Sequence, residues 1–494
     1  MSHTCRMSTD GFGFPPEEIA DAIERRGLLS MEIEFSRTCN FRCPYCYNDE
    51  AGEENPLTSD EIEDVILQAR GLGARKIIIL GGEPMIYPGV REKIRFIREH
   101  DMSVEMFTNG TNMTPENARF MYEHDVAVVV KMNSFKPELQ DKLTGHEGSH
   151  ETTREAIANL EAAGYPAPGK RLAISTIICR PNIDELPELW RWARRKGIEP
   201  YFEMLTPQGR ALENEWLPTS VSRQKELFEE LCRIDREEFD REWEPQPPLV
   251  GNTCLRHQFS CFVTSDGRVM PCVGVLISLG NVRETSLAKI LDESEVMENL
   301  RDYPANIKEP CASCDRADGC YGCRGTAYQL TGDYLAADPT CWCNQGKEIE
   351  CLPADVASYL PHRPPMLMVD ELVSVGERRG TVRAVLEPDH PLVDAAGQFD
   401  ETAHVELVAQ SIAVINGFHQ TPEERKSHRG FLMSARDFEV SGDARAGDRV
   451  EVTIKKLTKF GDFGVVHGSV RRGEEEIAQG QITVWQSQQG EESP

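Results

Sequence analysis

Residues 39–46 read CNFRCPYC and bring three cysteines, Cys39, Cys43 and Cys46, into one short stretch. Three thiolates in a single loop can hold three irons of a [4Fe–4S] cluster and leave the fourth iron open to a small molecule. A structural zinc ion usually takes four protein ligands, so a separate set of three cysteines fits zinc poorly. The stretch therefore predicts an iron–sulfur site with one open iron.

The chain on either side of this loop alternates β-rich runs with amphipathic helical segments. One helical segment, SDEIEDVILQAR (59–70), opens with Thr58 and Ser59 as candidate N-caps. Alternation of apolar strands and helices predicts an α/β fold with a parallel sheet covered by helices. The strand candidates are MEIEFS (31–36), KIIIL (76–80), SVEMF (103–107), VAVVVK (126–131), LAISTII (172–178) and PYFEML (200–205).

Two more motifs follow the next two strands, GGEP at 81–84 and TNG at 108–110. Together with CxxxCxxC and the aromatic Tyr45 they resemble the radical S-adenosylmethionine (SAM) enzymes. The resemblance implies an open (β/α)6 partial barrel whose active site lies at the carboxyl ends of the strands. It also implies that the open iron chelates the amino and carboxylate groups of SAM, and that Tyr45 packs near the adenine.

By the same resemblance, Gly81, Gly82 and Glu83 contact the SAM amino group. The glycines also allow close backbone approach and positive φ angles. Asn109 is a candidate for the SAM site and Ser134 for a ribose contact. The family string near the latter resembles SLDG, whereas this chain reads VKMNSF, and turn formation is the alternative role for both residues.

A second cysteine-rich segment spans 254–343, and its G-x4-C string from Gly267 to Cys272 resembles the SPASM extension of radical SAM enzymes. That extension holds two auxiliary [4Fe–4S] clusters. Carried over, the ligands of one cluster are Cys254, Cys261, Cys272 and Cys323. Those of the other are Cys311, Cys314, Cys320 and either Cys341 or Cys343.

The spacing between Cys320 and Cys323 is C-x2-C, where the family usually has C-x3-C, so the division of ligands stays open. A zinc ribbon at 311–323 is the alternative for one site. We expect the remaining Cys5, Cys179, Cys232 and Cys351 to act as small buried apolar residues.

Residues 354–486 differ in pattern from the rest of the chain. An apolar helix near 401–420 precedes strands of alternating polarity, which outlines an α+β hotdog fold. YLPHRPPMLMVD (359–370) and ELVAQ (406–410) resemble the β-hydroxyacyl-ACP dehydratases. The resemblance implies His362 and Glu406 as the catalytic pair, one removing the α-proton and the other protonating the leaving hydroxyl. It also implies a homodimer through this domain. The strand candidates are FLMSARDFEV (431–440), RVEVTIKKLTKF (449–460), GVVHGSVRRG (464–473) and EEIAQGQITVW (475–485).

The stretch HPLVDAAGQFDETAH (390–404) departs from the dehydratases, and their backbone oxyanion site is not recognisable in it. An inactive hotdog domain kept for dimerisation or carrier-protein docking is therefore the alternative. A thioesterase is a weaker interpretation, because two dehydratase motifs match.

The 494-residue chain carries a formal net charge of −28, which argues against binding nucleic acid. No apolar run is long enough to span a membrane, and the first residues lack a secretory h-region. We therefore expect a reducing, cytoplasmic compartment, where cysteines favour metal sites over disulfides. The expected domains are an N-terminal extension (1–30), the barrel (31–250), the auxiliary-cluster domain (251–350) and the hotdog domain (354–486).

The sequence thus predicts a bifunctional enzyme: a radical SAM/SPASM module fused to a dehydratase-like module acting on an acyl thioester. The alternative is a peptide maturase with a hotdog scaffold, although the cysteine motif at residue 39 leaves no room before the barrel for a leader-binding domain. An electron-transfer or sensor protein does not need an open iron or GGEP. The expected partners are a small-molecule, acyl-carrier-bound or peptide substrate, a reductant such as flavodoxin or ferredoxin, and an acyl carrier protein docking on a local basic patch.

Overall fold

The computed structural model describes residues 13–48, 55–317, 319–349, 351–375, 379–418, 428–460, 463–473 and 475–488. The chain divides into two compact units, Met1–Ile349 and Glu350–Pro494. Much of the predicted N-terminal extension, with Cys5, lies outside the described residues. Over the described part, no helix combines the length and apolar composition needed to cross a bilayer.

The first unit is built on one mixed sheet in the order β6-β5-β4-β3-β2-β1-β7-β8-β9. Strands β1 to β6 pair in parallel, β7 adds in parallel to β1, and β8 and β9 are antiparallel. All six sequence-predicted strands are present. The cysteine-rich segment supplies β7 to β9, which no sequence pattern indicated. The strands are β1 Ser30–Glu34, β2 Lys76–Leu80, β3 Ser103–Thr108, β4 Val126–Lys131, β5 Leu172–Ile178, β6 Glu199–Met204, β7 Phe262–Val263, β8 Arg268–Met270 and β9 Gly280–Asn281.

Helices connect these strands and cover one face of the sheet. The helix α2 (Ser59–Gly71) begins with a capping box at Thr58, its N-cap. The Thr58 side chain accepts a hydrogen bond from Glu61 N, and the Glu61 side chain accepts one from Thr58 N. Ser59, the other candidate, is the first helical residue. The helices are α1 Pro16–Glu24, α2 Ser59–Gly71, α3 Val90–Glu99, α4 Pro115–Glu123, α5 Pro137–Thr144, α6 Ser149–Ala163, α7 Leu186–Arg195, α8 Val221–Phe239, α9 Leu287–Asp292, α10 Glu295–Arg301, α11 Tyr303–Asn306 and α12 Arg324–Thr331.

The two faces of this sheet differ in chemistry. Side chains alternate along a strand, so Met31 and Ile33 of β1 face the helices and join the main apolar core, whereas Glu32 points to the opposite, concave face. On the concave face Lys131 of β4 pairs with Glu203 of β6 at 3.9 Å. Strands that look almost continuously apolar in sequence therefore line a polar barrel interior.

The second unit is a seven-stranded sheet in the order β10-β11-β12-β14-β15-β16-β13, with α13 packed on it. The predicted central helix and four strands are present, and β10, β11 and β12 were not predicted. The predicted helix positions 419 and 420 lie outside the described residues. The elements are β10 Ala354–Asp355, β11 Glu371–Val375, β12 Arg379–Val385, α13 Ala403–Phe418, β13 His428–Val440, β14 Arg449–Phe460, β15 Phe463–Arg472 and β16 Glu475–Gln488.

Candidate functional site

The loops after β1 and β2 are joined at the carboxyl edge of the sheet. Gly82 N donates to Ser36 O at 2.8 Å, and Glu83 N donates to Thr38 O at 2.9 Å. A Cβ on Gly82 would lie only 1.9 Å from Thr38 O, and one on Gly81, where φ is +112°, would lie 2.3 Å from Ser36 O. The GGEP glycines are therefore required because they pack directly on the segment that leads into Cys39.

Glu83 is a buried carboxylate held by three donors. Its Oε1 accepts from Thr108 Oγ1 at 2.6 Å and from Met85 N at 2.9 Å, and its Oε2 accepts from Asn109 N at 2.6 Å. Burial raises the pKa of Glu83 to about 7, because these neutral donors offset the desolvation only in part. The carboxylate lacks a cationic partner among its described neighbours, and a ligand amino group could supply a further donor.

Asn109 connects this carboxylate to the cysteine loop. Its amide nitrogen donates to Asn40 Oδ1 at 3.0 Å and approaches Cys39 Sγ at 3.9 Å. Its Oδ1 accepts from Thr111 N at 2.9 Å, which is the turn-forming bond of an Asx turn. Asn109 therefore fills the turn role and also fixes the position of the loop.

The three thiols of Cys39, Cys43 and Cys46 are free and half-buried. Burial raises the pKa of all three, that of Cys43 to about 12, and neighbouring thiols of the set add to the shift of Cys39 and Cys43. Thiolates crowded in this way need positive charge, which iron supplies. The donor set therefore fits three irons of a cluster.

The described residues contain no group of three His, Cys, Asp or Glu side chains close enough to hold one metal ion. In a [4Fe–4S] cluster each cysteine binds a different iron, so the cluster's thiolates stand further apart than ligands of a single ion.

Tyr45 lies beside the cysteines with its ring buried. Its hydroxyl accepts from Asn133 Nδ2 at 2.8 Å, and Lys131 Nζ lies 5.1 Å from the ring centroid. Lys131 also donates to Ser175 Oγ at 3.0 Å. Lys131 on the concave face therefore contacts both Tyr45 in the cysteine loop and Ser175 on the neighbouring strand β5.

Ser134, the candidate ribose contact, is fully buried, and its hydroxyl is engaged by the protein. It donates to Glu185 Oε1 at 2.5 Å and accepts from Lys136 N at 3.0 Å. This is the turn-forming role that the sequence left as the alternative. A ribose contact by Ser134 requires these bonds to rearrange.

Three cysteines of the second field form a group that we call site A: Cys254, Cys272 and Cys323. Burial raises the pKa of Cys272 to about 12 with a further contribution from Cys323, and burial together with Cys254 raises that of Cys323. Arg324 is buried beside them, and its Nε and Nη2 have no hydrogen-bond partner. Unsatisfied guanidinium donors suit the negative charge of thiolates bound to iron.

Cys261, the fourth residue implied for this cluster, lies elsewhere. It is 1% exposed and belongs to the apolar core on the helix side of the sheet. Burial raises its pKa to about 12, with Arg301 and Glu32 as its charged neighbours.

We call the other cysteine group site B: Cys311, Cys314, Cys320 and Cys341. Burial and the charge of Cys311 raise the pKa of Cys320, and Cys320 in turn contributes to the raised pKa of Cys341. Asn344 Nδ2 donates to Cys311 Sγ at 3.3 Å. Of the two candidates for the last ligand, Cys341 is buried and Cys343 is half-buried.

In the second unit, Gln410 holds the segment after His362 against the central helix. Its Oε1 accepts from Met368 N at 2.9 Å, and its Nε2 donates to Met366 O at 2.7 Å and Glu406 Oε1 at 2.8 Å. The His362 Nδ1 atom is buried without a hydrogen-bond partner. Within one chain, no hydrogen bond joins the described His362 and Glu406.

Sequence reasoning missed several groups near these sites, including Lys131, Arg256 and His257. Arg256 Nη1 donates to Glu32 Oε1 at 2.8 Å on the concave face. For Lys131 and Glu32 the available signal was the alternation of charged and apolar residues within β4 and β1, which places these side chains in the barrel interior. Of the unassigned cysteines, Cys179 is buried as expected, whereas Cys232 and Cys351 are half-buried.

Three family models match successive parts of the chain. Residues 33–193 match the radical SAM superfamily, 254–315 match the SPASM iron–sulfur cluster-binding domain, and 354–493 match the ApeP-like family, described as ApeP dehydratase.

Curated relatives match the barrel and the cysteine-rich segment. An AdoMet-dependent heme synthase of Methanosarcina barkeri is 30% identical over 345 residues, which cover 64% of this chain and 96% of the relative. A protein of the same name from Nitratidesulfovibrio vulgaris is 26% identical over 355 residues, covering 66% and 95%.

Among solved structures, Streptococcus suis SuiB bound to S-adenosylmethionine aligns with a TM-score of 0.51 at 15% identity, covering 66% of this chain and 80% of SuiB. SuiB bound to its precursor peptide SuiA gives a TM-score of 0.52 at 15% identity, covering 66% and 79%. At this identity the likeness concerns the fold alone.

Proposed function

The chain belongs to the radical SAM superfamily and carries a SPASM domain and an ApeP-like dehydratase domain, and we propose that it combines two catalytic activities in one polypeptide. The first unit cleaves SAM reductively and abstracts hydrogen from a small-molecule substrate. The second unit dehydrates a 3-hydroxyacyl thioester. The observation that carries the first activity is the junction of Cys39, Asn109 and Glu83 at one edge of the barrel sheet.

In this junction the chain supplies ligands and orientation. Cys39, Cys43 and Cys46 would hold three irons of a cluster, and a cluster bound there would supply the electron for the reductive cleavage of SAM. Glu83 accepts a hydrogen bond from the SAM amino group, and Tyr45 packs near the adenine. Asn109 keeps the Glu83 loop and the cysteine loop in register.

The substrate is proposed to bind on the concave face of the barrel, between the cysteine loop and site A. This face is polar, with Lys131, Glu203 and Arg256 among its charged groups. Hydrogen abstraction needs the substrate within contact of the radical, and a chamber lined by paired charges fixes a polar molecule in one orientation.

The assay for the first activity is formation of 5′-deoxyadenosine after anaerobic reconstitution, with reduced flavodoxin or ferredoxin as electron donor. We propose three [4Fe–4S] clusters, about twelve irons per chain. The triple variant Cys39/Cys43/Cys46→Ala should lose about four irons and all 5′-deoxyadenosine. The matched control is Cys232→Ala, because this half-buried thiol only donates to Trp243 O at 3.0 Å. Retention of 5′-deoxyadenosine formation by the triple variant refutes the assignment.

The relatives named AdoMet-dependent heme synthase support a small-molecule substrate over a peptide. A competition series separates the classes: an iron-loaded tetrapyrrole, an acyl thioester and a peptide are each incubated with SAM and reductant, and the substrate-dependent mass change is measured. A mass change on the peptide alone would favour the peptide maturase, with the hotdog domain as a scaffold.

For the second unit, His362 removes the α-proton of the thioester, and Glu406 protonates the β-hydroxyl, which leaves as water. The match to the ApeP dehydratase model supports this assignment, and the bond from Gln410 orients the Glu406 carboxylate. Because the pair is not bonded within one chain, we propose that His362 acts with Glu406 of the partner subunit.

A surface on strand β13 supports the dimer. Phe431, Leu432 and Met433 are consecutive on this strand and are 46%, 46% and 49% exposed. β13 is the last strand of the described sheet and pairs with β16 alone, so its other backbone edge is open. An apolar open edge is suited to pairing with a second copy of the chain, because both the backbone and the side chains gain partners.

The dehydratase assay uses the full chain and hydration of a crotonyl thioester. His362→Ala and Glu406→Gln should each abolish turnover, whereas His467→Gln, on a strand remote in sequence, should not. An equal mixture of the two inactive variants should regain about a quarter of the activity if the pair forms across a C₂ interface. Turnover that survives loss of both residues would leave a docking or scaffold role for the domain.

A further inference from the structure

Site A has three cysteines, whereas a [4Fe–4S] cluster has four irons, so one iron would lack a cysteine ligand. Cys323 contributes to the raised pKa of Cys272, and Cys254 contributes to that of Cys323, so the three side chains of site A are near neighbours. Arg256, which bonds to Glu32 on the concave face, also has Cys254 and Cys272 as charged neighbours. Site A therefore lies on the concave side of the sheet.

Cys261 is separated from that side by the sheet itself. In the parallel pairing of β1 with β7, Val263 is opposite Ile33 and Phe262 is opposite Glu32. Side chains two residues apart share a face, so Cys261 lies with Val263 and Ile33 in the helix-side core. Reaching site A would require a one-residue shift of β7, which would move every side chain of the strand to the other face.

His257 is a residue near site A whose two ring nitrogens both lack hydrogen-bond partners. It is 2% exposed, and neither Nδ1 nor Nε2 has a hydrogen-bond partner. A neutral imidazole carries one donor and one acceptor, and burial of either without a partner is destabilising. A group that the protein alone does not supply is expected at one of these nitrogens.

The ring of His257 is fixed next to the cysteines by Tyr321. The two ring centroids are 5.4 Å apart, and the Tyr321 hydroxyl lies 4.0 Å from Cys254 Sγ. His257 also follows Cys254 by three residues, in a short 3-10 turn. Arg324, directly after Cys323, is a charged neighbour of His257, and its Nε and Nη2 atoms have no hydrogen-bond partner.

We propose that His257, and not Cys261, is the fourth protein ligand of the site A cluster. Imidazole replaces cysteine on iron in the Rieske centres, where it raises the reduction potential. A neutral ligand lowers the negative charge of the cluster by one. The proposal rests on the proposed presence of a cluster at site A, and Cys261 keeps an apolar packing role.

The test combines iron counting with pulsed EPR on the anaerobically reconstituted full chain. The Cys39/Cys43/Cys46→Ala background leaves only the auxiliary clusters, and protein grown with ¹⁵N-histidine reports an imidazole bound to iron as a nitrogen hyperfine coupling. In the reduced protein we expect about eight irons and a ¹⁵N coupling that is lost in His257→Cys with the irons retained. His257→Cys should also lower the reduction potential of site A, since thiolate replaces a neutral ligand.

Cys261→Ala is the matched variant. It should keep both the irons and the nitrogen coupling. Loss of about four irons in Cys261→Ala, or absence of any coupling from His257 in protein with full iron, overturns the ligand assignment. If only about four irons are bound before either substitution and Cys272→Ala does not reduce that number, the cluster at site A is itself refuted together with its ligand. Circular dichroism of each variant separates loss of iron from loss of folding.

Discussion

The substitution Gly82→Ala tests the junction between the GGEP loop and the cysteine loop. The new Cβ would lie 1.9 Å from Thr38 O, and real Cβ atoms essentially never approach closer than 3.0 Å, so the segment before Cys39 must move by about 1.1 Å. The clash is with backbone and not with the end of a flexible side chain, so it cannot be relieved by a rotamer change. Displacement of reacting groups by about 1 Å can cost about 100-fold in rate.

We expect Gly82→Ala to fold, to lose iron from the SAM-binding site, and to form 5′-deoxyadenosine about 100-fold more slowly. The matched control is Gly71→Ala at the end of α2, where no atom lies within 4 Å of the added Cβ. This control should keep all irons and gain up to about 0.5–1 kcal/mol of stability. Wild-type iron content and turnover in Gly82→Ala would show that the close approach of the two loops does not position the cluster ligands.

Three further predictions address the carboxylate, the dimer and the core. Glu83→Gln should weaken SAM binding about tenfold with the irons retained, because one charge-assisted bond contributes roughly 1.5–3 kcal/mol. Since burial raises the pKa of Glu83 to about 7, wild-type SAM affinity measured by anaerobic calorimetry should fall as the pH drops below 7, and this fall should be absent in the glutamine variant. Because the pKa of Glu83 is raised from 4.5 to about 7 on folding, the folded protein binds more protons than the unfolded chain between these pH values. The contribution of Glu83 to the free energy of unfolding should therefore decrease as the pH rises through this window. Leu432→Lys should give a monomer by sedimentation, whereas Leu212→Lys, at a residue that is 58% exposed in the first unit, should leave the oligomeric state unchanged. Asp235→Ala should destabilise the first unit by about 3–5 kcal/mol in denaturant unfolding, because it leaves the buried Arg194 without its ion-pair partner at 2.7 Å; an unchanged midpoint would contradict this.

Much of the barrel could be predicted because each local signal agreed with the global fold. KIIIL and VAVVVK become β2 and β4 at the predicted residues, since each is an apolar run bounded by polar or turn-forming residues. The motifs then follow their strands directly, so their meeting at one edge is a consequence of parallel topology. Strands β7 to β9 are only two or three residues long, which is too short to show a period.

The spacing of the cysteines along the sequence does not decide which of them lie together at an auxiliary site. Cys254 and Cys261 are equally plausible ligands in the sequence, and both precede the G-x4-C string. Only the pairing of β7 with β1 puts Cys261 on the helix side, because the side-chain period of a strand is two and a shift of one residue exchanges its faces. His257 gave no sequence signal, since its lack of hydrogen-bond partners depends on how the chain packs around it.

The sequence alone therefore determined the chemistry that is local along the chain: the cysteine loop, the glycines beside it, the order of the strands, and the dehydratase motifs of the second unit. The tertiary structure decided which side chains share a space. It bonded Glu83 to Thr108 and Asn109, turned Lys131 and Glu203 toward the barrel interior, and separated Cys261 from site A. The physical reason is that motifs are short-range patterns, whereas burial, unsatisfied donors and shared charge arise from contacts between residues far apart in the chain.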